Sequence, residues 1–155
     1  MVRDDRWLFA KLDEVWDSYF SDVPQENEVK IVWGRKARNR LGSIKPGEKI
    51  KGRHPDTIIT INSLFKDQHI PEFVVLGTIA HELSHYTHGF HSPLDKKFQN
   101  PHAGGVVNKE LRDRGLDKML KDQKKWLKDN WENYLSGRYP RTTRKARKRV
   151  RYRWI

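Results

Sequence analysis

The chain has 155 residues, a formal net charge of +12 and no cysteine, which excludes disulfides, a thiolate nucleophile and a zinc ribbon built from cysteines. Its hydrophobic fraction of 35% is low, so the core must draw heavily on six Trp, six Phe and five Tyr residues. No apolar stretch approaches the length of a membrane span and the N-terminus lacks the apolar region of a signal peptide, so we expect a soluble cytoplasmic protein with no membrane partner.

The first part of the chain predicts one helix followed by three short strands. Apolar residues recur at helical spacing between residues 4 and 20, and an aspartate is placed to cap the start. Residues 29 to 33 have the alternation that is typical of a strand. Residues 41 to 44 predict a short strand, and the β-branched run of residues 57 to 61 predicts a further one.

A buried helix that carries a metal-binding motif is predicted over residues 71 to 89, and it contains the H-E-x-x-H box His81-Glu82-Leu83-Ser84-His85. Because positions i and i+4 lie on one face of a helix, His81 and His85 can direct both imidazoles at one metal ion. Glu82 is rotated from His81 by about 100° and would lie beside the metal. Two histidines with a neighbouring carboxylate predict a zinc site in which Glu82 is the catalytic base.

The third metal ligand has four candidates, because a catalytic zinc site usually has three protein ligands and one open position for water. His102 lies in the connection of residues 92 to 108. Connections of this length in a compact domain usually have a function, so we expect this one to line the site. His91 follows His81 by ten residues, and Glu110 would come from the next helix. The fourth candidate, His88, lies one turn beyond His85 and is expected to face away or to lie at the end of the helix. Spacing alone leaves the choice among His102, His91 and Glu110 open.

The last part of the chain predicts a long helical segment and then a basic tail. Residues 107 to 135 carry an apolar stripe at helical spacing, with a break at Gly115. Residues 138 to 155 contain nine Lys or Arg and no Asp or Glu. We therefore expect a folded domain over residues 1 to 137 and a separate tail over residues 138 to 155.

The charge distribution favours a nucleic-acid partner, because basic clusters interleaved with aromatic residues are the expected footprint of DNA or RNA binding. A second basic cluster covers residues 35 to 53, in which Glu48 is the single acidic residue among the many Lys and Arg residues. The candidate DNA contacts in the tail are Arg144, Lys145, Arg147, Lys148, Arg149 and Arg151. A tail that serves only solubility is the competing interpretation.

About half of the chain, from residue 33 to residue 111, resembles the SprT-like zincin metallopeptidases. The matching pieces are the basic segment of residues 35 to 43, the strand that leads to Leu64, the H-E-x-x-H box and the segment Pro101-His102-Ala103-Gly104-Gly105. The last of these is similar to the His-Gly element that brings the third metal ligand in that family. The chain departs from many members of the family because it has no cysteine-built zinc ribbon.

The resemblance implies a small α+β zincin-like domain. A few-stranded sheet would pack against an N-terminal helix, the H-E-x-x-H helix and a C-terminal helical segment. It implies a Zn²⁺ ion held by His81, His85 and His102, zinc-dependent hydrolysis of peptide bonds with Glu82 as general base, and nucleic-acid-associated proteins as substrates.

Two other functions stay open from the sequence. A nucleic-acid-binding protein without protease activity would hold zinc in a closed structural site of four ligands, and five of the seven histidines lie between residues 81 and 102. A regulatory protease would instead cut a repressor or another partner protein.

Overall fold

Helix α1 (Asp5–Tyr19) opens the fold, as the spacing of its apolar residues predicts. Asp4 is its N-cap, and the Asp4 side chain accepts a hydrogen bond of 2.8 Å from the Trp7 amide. One face of the helix is buried through Leu8, Leu12 and Val15. The computed structural model of the chain describes residues 1 to 141. The six tail residues expected to contact DNA, Arg144, Lys145, Arg147, Lys148, Arg149 and Arg151, lie outside the described residues.

Three strands form a mixed sheet in which the central strand is the last in sequence. Strands β1 (Val29–Trp33), β2 (Gly42–Pro46) and β3 (Thr57–Ile61) are arranged in the order β1-β3-β2. Strand β3 pairs in parallel with β1 and antiparallel with β2. Alternate side chains of each strand are buried, so one face of the sheet packs on the core while the other faces outward.

Helix α2 (Glu72–Thr87) lies against the buried face of the sheet and is surrounded by α1, β2, β3 and the C-terminal helices. Thirteen of its sixteen residues are buried, which explains why its sequence is apolar on every side. Beyond its C-terminus the chain turns back at Gly89, whose φ of +83° suits glycine. A side chain there would also collide with the backbone of Asp95, because a Cβ would lie 2.4 Å from its oxygen.

The C-terminal part is helical, as predicted. After a single 3₁₀ turn (Ala103–Gly105) comes α3 (Val106–Asp113), and a break at Gly115 separates it from the following helix. Helix α4 (Asp117–Trp126), a π-helical turn (Leu127–Trp131) and α5 (Glu132–Arg138) continue one another as a 22-residue helix. The fold is therefore α+β, with an N-terminal helix, a three-stranded mixed sheet and helices behind it. Within residues 1 to 141, no helix combines the length and apolar character needed to cross a bilayer.

Candidate metal centre

Three histidine side chains converge on one point at the side of α2. The Nε2 atoms of His81 and His85 are 3.1 Å apart, and those of His85 and His102 are also 3.1 Å apart. The remaining pair, His81 and His102, is separated by 3.3 Å. A neutral imidazole carries a single N–H, and three nitrogens at the corners of a triangle cannot all make near-linear hydrogen bonds with one another. These three histidines are therefore placed as a group that can hold a metal ion.

The spacing of the three nitrogens suits an ion of the size of zinc. In a tetrahedral site with Zn–N distances of about 2.0–2.1 Å, two ligand nitrogens lie about 3.3 Å apart. The ring of His85 crosses those of His81 and His102 at interplanar angles of 83° and 78°, so the nitrogen edges meet and the ring faces do not stack. Imidazole ligands also suit copper, iron and nickel, so the geometry fits several metal ions and does not identify one.

Local structure explains how each histidine reaches this point. His81 and His85 are held by consecutive turns of a buried helix, and they are only 3% and 1% exposed. His102 comes from the far end of the long connection, immediately before the 3₁₀ turn, and lies on the exposed side of the group. The group therefore has two histidines in the core and one at the surface, which leaves it open to solvent from one direction.

Burial keeps the two helical histidines neutral. It lowers the pKa of His81 well below its ordinary value, and the nearby rings of His85 and His102 lower it further. Burial, together with the neighbouring histidines, lowers the pKa of His85 to about 3. Metal ions bind the neutral imidazole, so the electrostatics of the site favour the ligand form at neutral pH.

Glu82 follows His81 on the helix and is fully buried. Neither of its carboxylate oxygens has a hydrogen-bond partner within the described residues. Burial raises the pKa of this carboxyl well above its ordinary value. A buried carboxylate is costly unless it has a partner, and the described protein atoms supply none. A polar species held at the adjacent histidines would satisfy it, so the residues present fit a metal ion with a water molecule.

The other three candidates for the third ligand, His88, His91 and Glu110, are not among the three side chains that converge. His91 is exposed, has a left-handed backbone with φ of +56°, and accepts a hydrogen bond of 2.6 Å from Thr57 Oγ1 through its carbonyl oxygen. Glu110 is 2.8 Å from His88 Nε2 through one oxygen and accepts a bond of 3.1 Å from Arg114 through the other. Of the four residues weighed from the sequence, the structure places His102 beside His81 and His85.

The sequence does not predict the ion-paired network around Glu110. His88, three residues beyond His85, is 2% exposed and forms part of this network. Burial lowers the pKa of His88, although its hydrogen bond to Glu110 acts in the opposite direction. The i,i+4 spacing of Glu110 and Arg114 is a signal that predicts one ion pair of this network, but nothing local in the sequence connects it to His88.

A basic cleft of about 530 Å³ lies on the outward face of the sheet, between β2 and the loop that leaves β1. Its charged lining consists of Arg35, Lys36, Arg40 and Lys45, with no Asp or Glu among the described residues that line it. All four residues belong to the second basic cluster predicted from the sequence. The cleft therefore presents a concentrated positive charge on the opposite face of the sheet from α2.

Comparison of the chain with protein-family models, with curated proteins and with solved structures gives no match. The class of protein is therefore defined by the fold and the site. It is an α+β protein with an HxxxH pair on a buried helix and a third histidine from a distant loop, an arrangement consistent with a zincin-like metal site.

Proposed function

We propose that this protein is a zinc-dependent metallopeptidase of the SprT-like kind. The observation that supports the proposal best is the combination of three converging histidine nitrogens with a fully buried glutamate whose oxygens have no partner in the described part of the chain. Three histidines alone would also suit a structural metal site, and a buried glutamate alone would also suit a protonated core carboxyl. Together they match the requirements of metal-assisted hydrolysis, which needs an ion and a base side by side.

In this proposal His81, His85 and His102 bind the ion, and Glu82 is the general base and acid. A zinc ion in a three-histidine site supplies Lewis acidity toward water and toward a peptide carbonyl. Glu82 accepts a proton from the attacking water and then donates it to the leaving nitrogen of the scissile bond. Glu82 follows His81 in sequence on the same buried helix and is not one of the three side chains that converge.

The sheet offers a way to orient a peptide substrate. Strand β2 pairs with β3 on one side, and within the described residues no strand pairs with its other edge. Gly42, the first residue of β2, lies against the Glu82 side chain. An extended peptide that added to this edge by backbone hydrogen bonds would pass close to Glu82.

The decisive experiment compares the wild-type protein with Glu82→Gln in zinc content and in hydrolysis of an unstructured protein substrate such as casein. We expect both proteins to bind one zinc per chain and only the wild type to cleave. Hydrolysis at the wild-type rate by Glu82→Gln would rule out the assigned role of Glu82. A wild-type protein that bound no zinc from an equimolar supply would remove the proposal as a whole.

We also propose that nucleic acid is a partner, so that nucleic-acid-associated proteins are the substrates. The specific observation in favour is the basic cleft, which gathers four cationic side chains with no opposing carboxylate among its described lining residues. A fourth protein ligand would close the coordination of the metal. If such a ligand were found and the protein had no peptidase activity, a nucleic-acid-binding protein with a structural zinc would be the better description. A regulatory protease that cuts a partner protein predicts cleavage activity without salt-sensitive DNA binding.

A further inference from the structure

A chain of polar side chains joins the C-terminal end of α2 to α3, and we call it the α3 clamp (His88, Glu110, Arg114 and Asp22). His88 Nε2 lies 2.8 Å from one oxygen of Glu110, whose other oxygen accepts a bond of 3.1 Å from Arg114 Nε. Arg114 also donates to Asp22 at 2.6 Å and 3.1 Å, which makes a two-point ion pair. His88 and Arg114 are only 2% and 11% exposed through their side chains, so solvent screens the inner part of the clamp weakly.

His102 depends on α3 for its position. Of the three histidines in the metal group, His102 is the one outside α2, and its segment continues through Gly104 and Gly105, which have φ of +55° and +70°. A Cβ built on either glycine would meet no atom within 4 Å, so the surrounding structure does not enclose this turn. The turn therefore cannot by itself fix His102 relative to α2. On one side of His102, the preceding connection is tied to α2, because the Lys97 amide donates a bond of 2.9 Å to the His88 carbonyl. On the other side, the position of His102 depends on how the helix that begins at Val106 docks.

Apolar packing alone would leave that docking imprecise. Val107 and Leu111 bury their side chains in the core, and such contacts hold α3 down but tolerate small shifts and rotations. The bond from Glu110 to His88 is directional, and it is made one turn beyond His85, at the end of the same helix that carries two of the histidines. It therefore sets the register of α3 against the metal-bearing helix.

Arg114 extends the same restraint to α1. Its guanidinium donates a bond of 2.8 Å to the carbonyl of Tyr19, the last residue of α1, and lies 4.4 Å from the ring centroid of Phe20. A cation is favourable at this position because the helix dipole places partial negative charge at its C-terminal end. Helices α1, α2 and α3 are thus joined through Arg114 and Glu110.

We propose that His88, Glu110 and Arg114 are positioning residues for the third metal ligand, holding His102 at the distance from His81 and His85 that a metal ion requires. The inference rests on the proposed function only in that the three histidines bind a metal. It assigns no contact with substrate to the clamp. The predicted effect of losing the clamp is weaker metal binding in a protein that still folds.

The test measures the zinc dissociation constant by competition with a chromophoric chelator, for the full-length wild type, Glu110→Ala and Glu110→Gln. We expect Glu110→Ala to bind zinc about 10-fold more weakly, at the lower end of what loss of a supporting partner costs a metal site. Glu110→Gln keeps an oxygen that can accept from His88 but loses the ion pair with Arg114, so its affinity should fall between the other two. Lys109→Ala is the matched control, because Lys109 is exposed on the same helix and pairs with Asp113 across one turn.

A second readout separates positioning from a general loss of stability. Cobalt(II) replaces zinc in such sites, and its visible absorption bands report the ligand geometry around the ion. We expect altered bands in Glu110→Ala and unchanged bands in Lys109→Ala, with circular dichroism of the metal-free proteins showing that both are folded. If Glu110→Ala does not fold, Glu110→Gln decides the question, by a severalfold loss of affinity or by wild-type behaviour.

Two results are kept distinct by this design. Wild-type zinc affinity and wild-type cobalt bands in the folded Glu110 variants would overturn the clamp and leave the metallopeptidase proposal intact. A wild-type protein without measurable zinc binding would overturn the proposed function itself, and the clamp would then position nothing.

Discussion

Gly42 on β2 lies directly against Glu82 on α2, because a Cβ built at Gly42 would be 3.3 Å from Glu82 Oε1 and 2.8 Å from Thr78 Cγ2. Strand β2 and helix α2 therefore approach each other as closely as the absence of a side chain allows. This contact brings the open edge of the sheet next to Glu82. Between Val74 and Thr87, Glu82 is the one residue of α2 that is an Asp, Glu, Lys or Arg.

The first prediction is that Gly42→Ala reduces peptide hydrolysis while leaving zinc bound, because the new methyl group displaces Glu82 or β2 and does not adjoin the histidines. Overpacking of this kind should also lower the free energy of unfolding by about 1–3 kcal/mol. Denaturant unfolding and a peptidase assay on the same preparation measure both effects. Gly47→Ala is the control, since a Cβ there would lie 3.4 Å from its nearest neighbour, which is an ordinary contact. Equal activity of the two variants would show that the close approach is not needed.

The second prediction concerns the third ligand. His102→Ala should lose most of the zinc affinity, and the rise in melting temperature that zinc gives to the wild type should shrink with it. His91→Ala should bind zinc as the wild type does, because His91 faces solvent and its carbonyl is bonded to Thr57. Isothermal titration of the metal-free proteins with zinc makes the comparison. Loss of binding in His91→Ala with retention in His102→Ala would reverse the assignment.

The third prediction tests the basic cleft. Replacing both Arg35 and Lys36 by alanine should weaken binding of a DNA oligonucleotide and lower the slope of log affinity against log salt by about 1 for each phosphate that the variant no longer binds. Deletion of residues 142 to 155 removes seven of the nine Lys and Arg residues of the tail. Measured in parallel, it separates their contribution from that of the cleft. Lys118→Ala and Lys121→Ala, exposed on α4 and away from the cleft, control for the change in net charge. A salt slope unchanged by the cleft substitutions would exclude the cleft as a contact surface.

The fourth prediction concerns stability at low pH and involves Asp67. Burial raises the pKa of Asp67, but hydrogen bonds from the His69 amide and ring and from the Tyr134 hydroxyl, with Arg138 nearby, outweigh it and lower the pKa from 3.8 to about 2. A carboxyl whose pKa is lower in the folded than in the unfolded state stabilises the fold above about pH 4, and that contribution disappears as the pH falls from about 4 to 2.

Asp67→Asn isolates this effect. The free energy of unfolding of the metal-free wild type should decline between about pH 4 and pH 2 more steeply than that of Asp67→Asn, while near pH 7 the variant should be the less stable of the two. Urea unfolding at a series of pH values gives both curves. Parallel curves for the two proteins over this range would show that the carboxyl contributes nothing when ionised.

The elements predicted from the sequence are those whose cause is local. Asp4 caps α1 and the β-branched run of residues 57 to 61 is a strand, because capping and β propensity act within a few residues. The proximity of His81 and His85 likewise follows from the helical repeat alone. Each of these predictions needs no knowledge of what the segment packs against.

The remaining features depend on contacts between distant parts of the chain. The sequence does not indicate that β3 lies between β1 and β2, since strand order is decided by packing of the whole sheet. Spacing also leaves the third histidine open, because a connection of this length can bring several donors to the same point. The pairing of His88 with Glu110, 22 residues later, becomes visible only when α3 is docked on α2.

The π-helical turn at Leu127–Trp131 has a consequence for how this chain can vary in length. One extra residue in a helical turn rotates everything that follows by about 100°. With that offset Trp131 and Leu135 are buried, and the Trp131 indole donates to the carbonyl of Arg38 at 2.9 Å, next to the residues of the basic cleft. A single-residue deletion within the turn would restore regular winding and swing both side chains out of phase with their pockets. The burial of Trp131 and Leu135 thereby constrains the number of residues between α4 and Leu135.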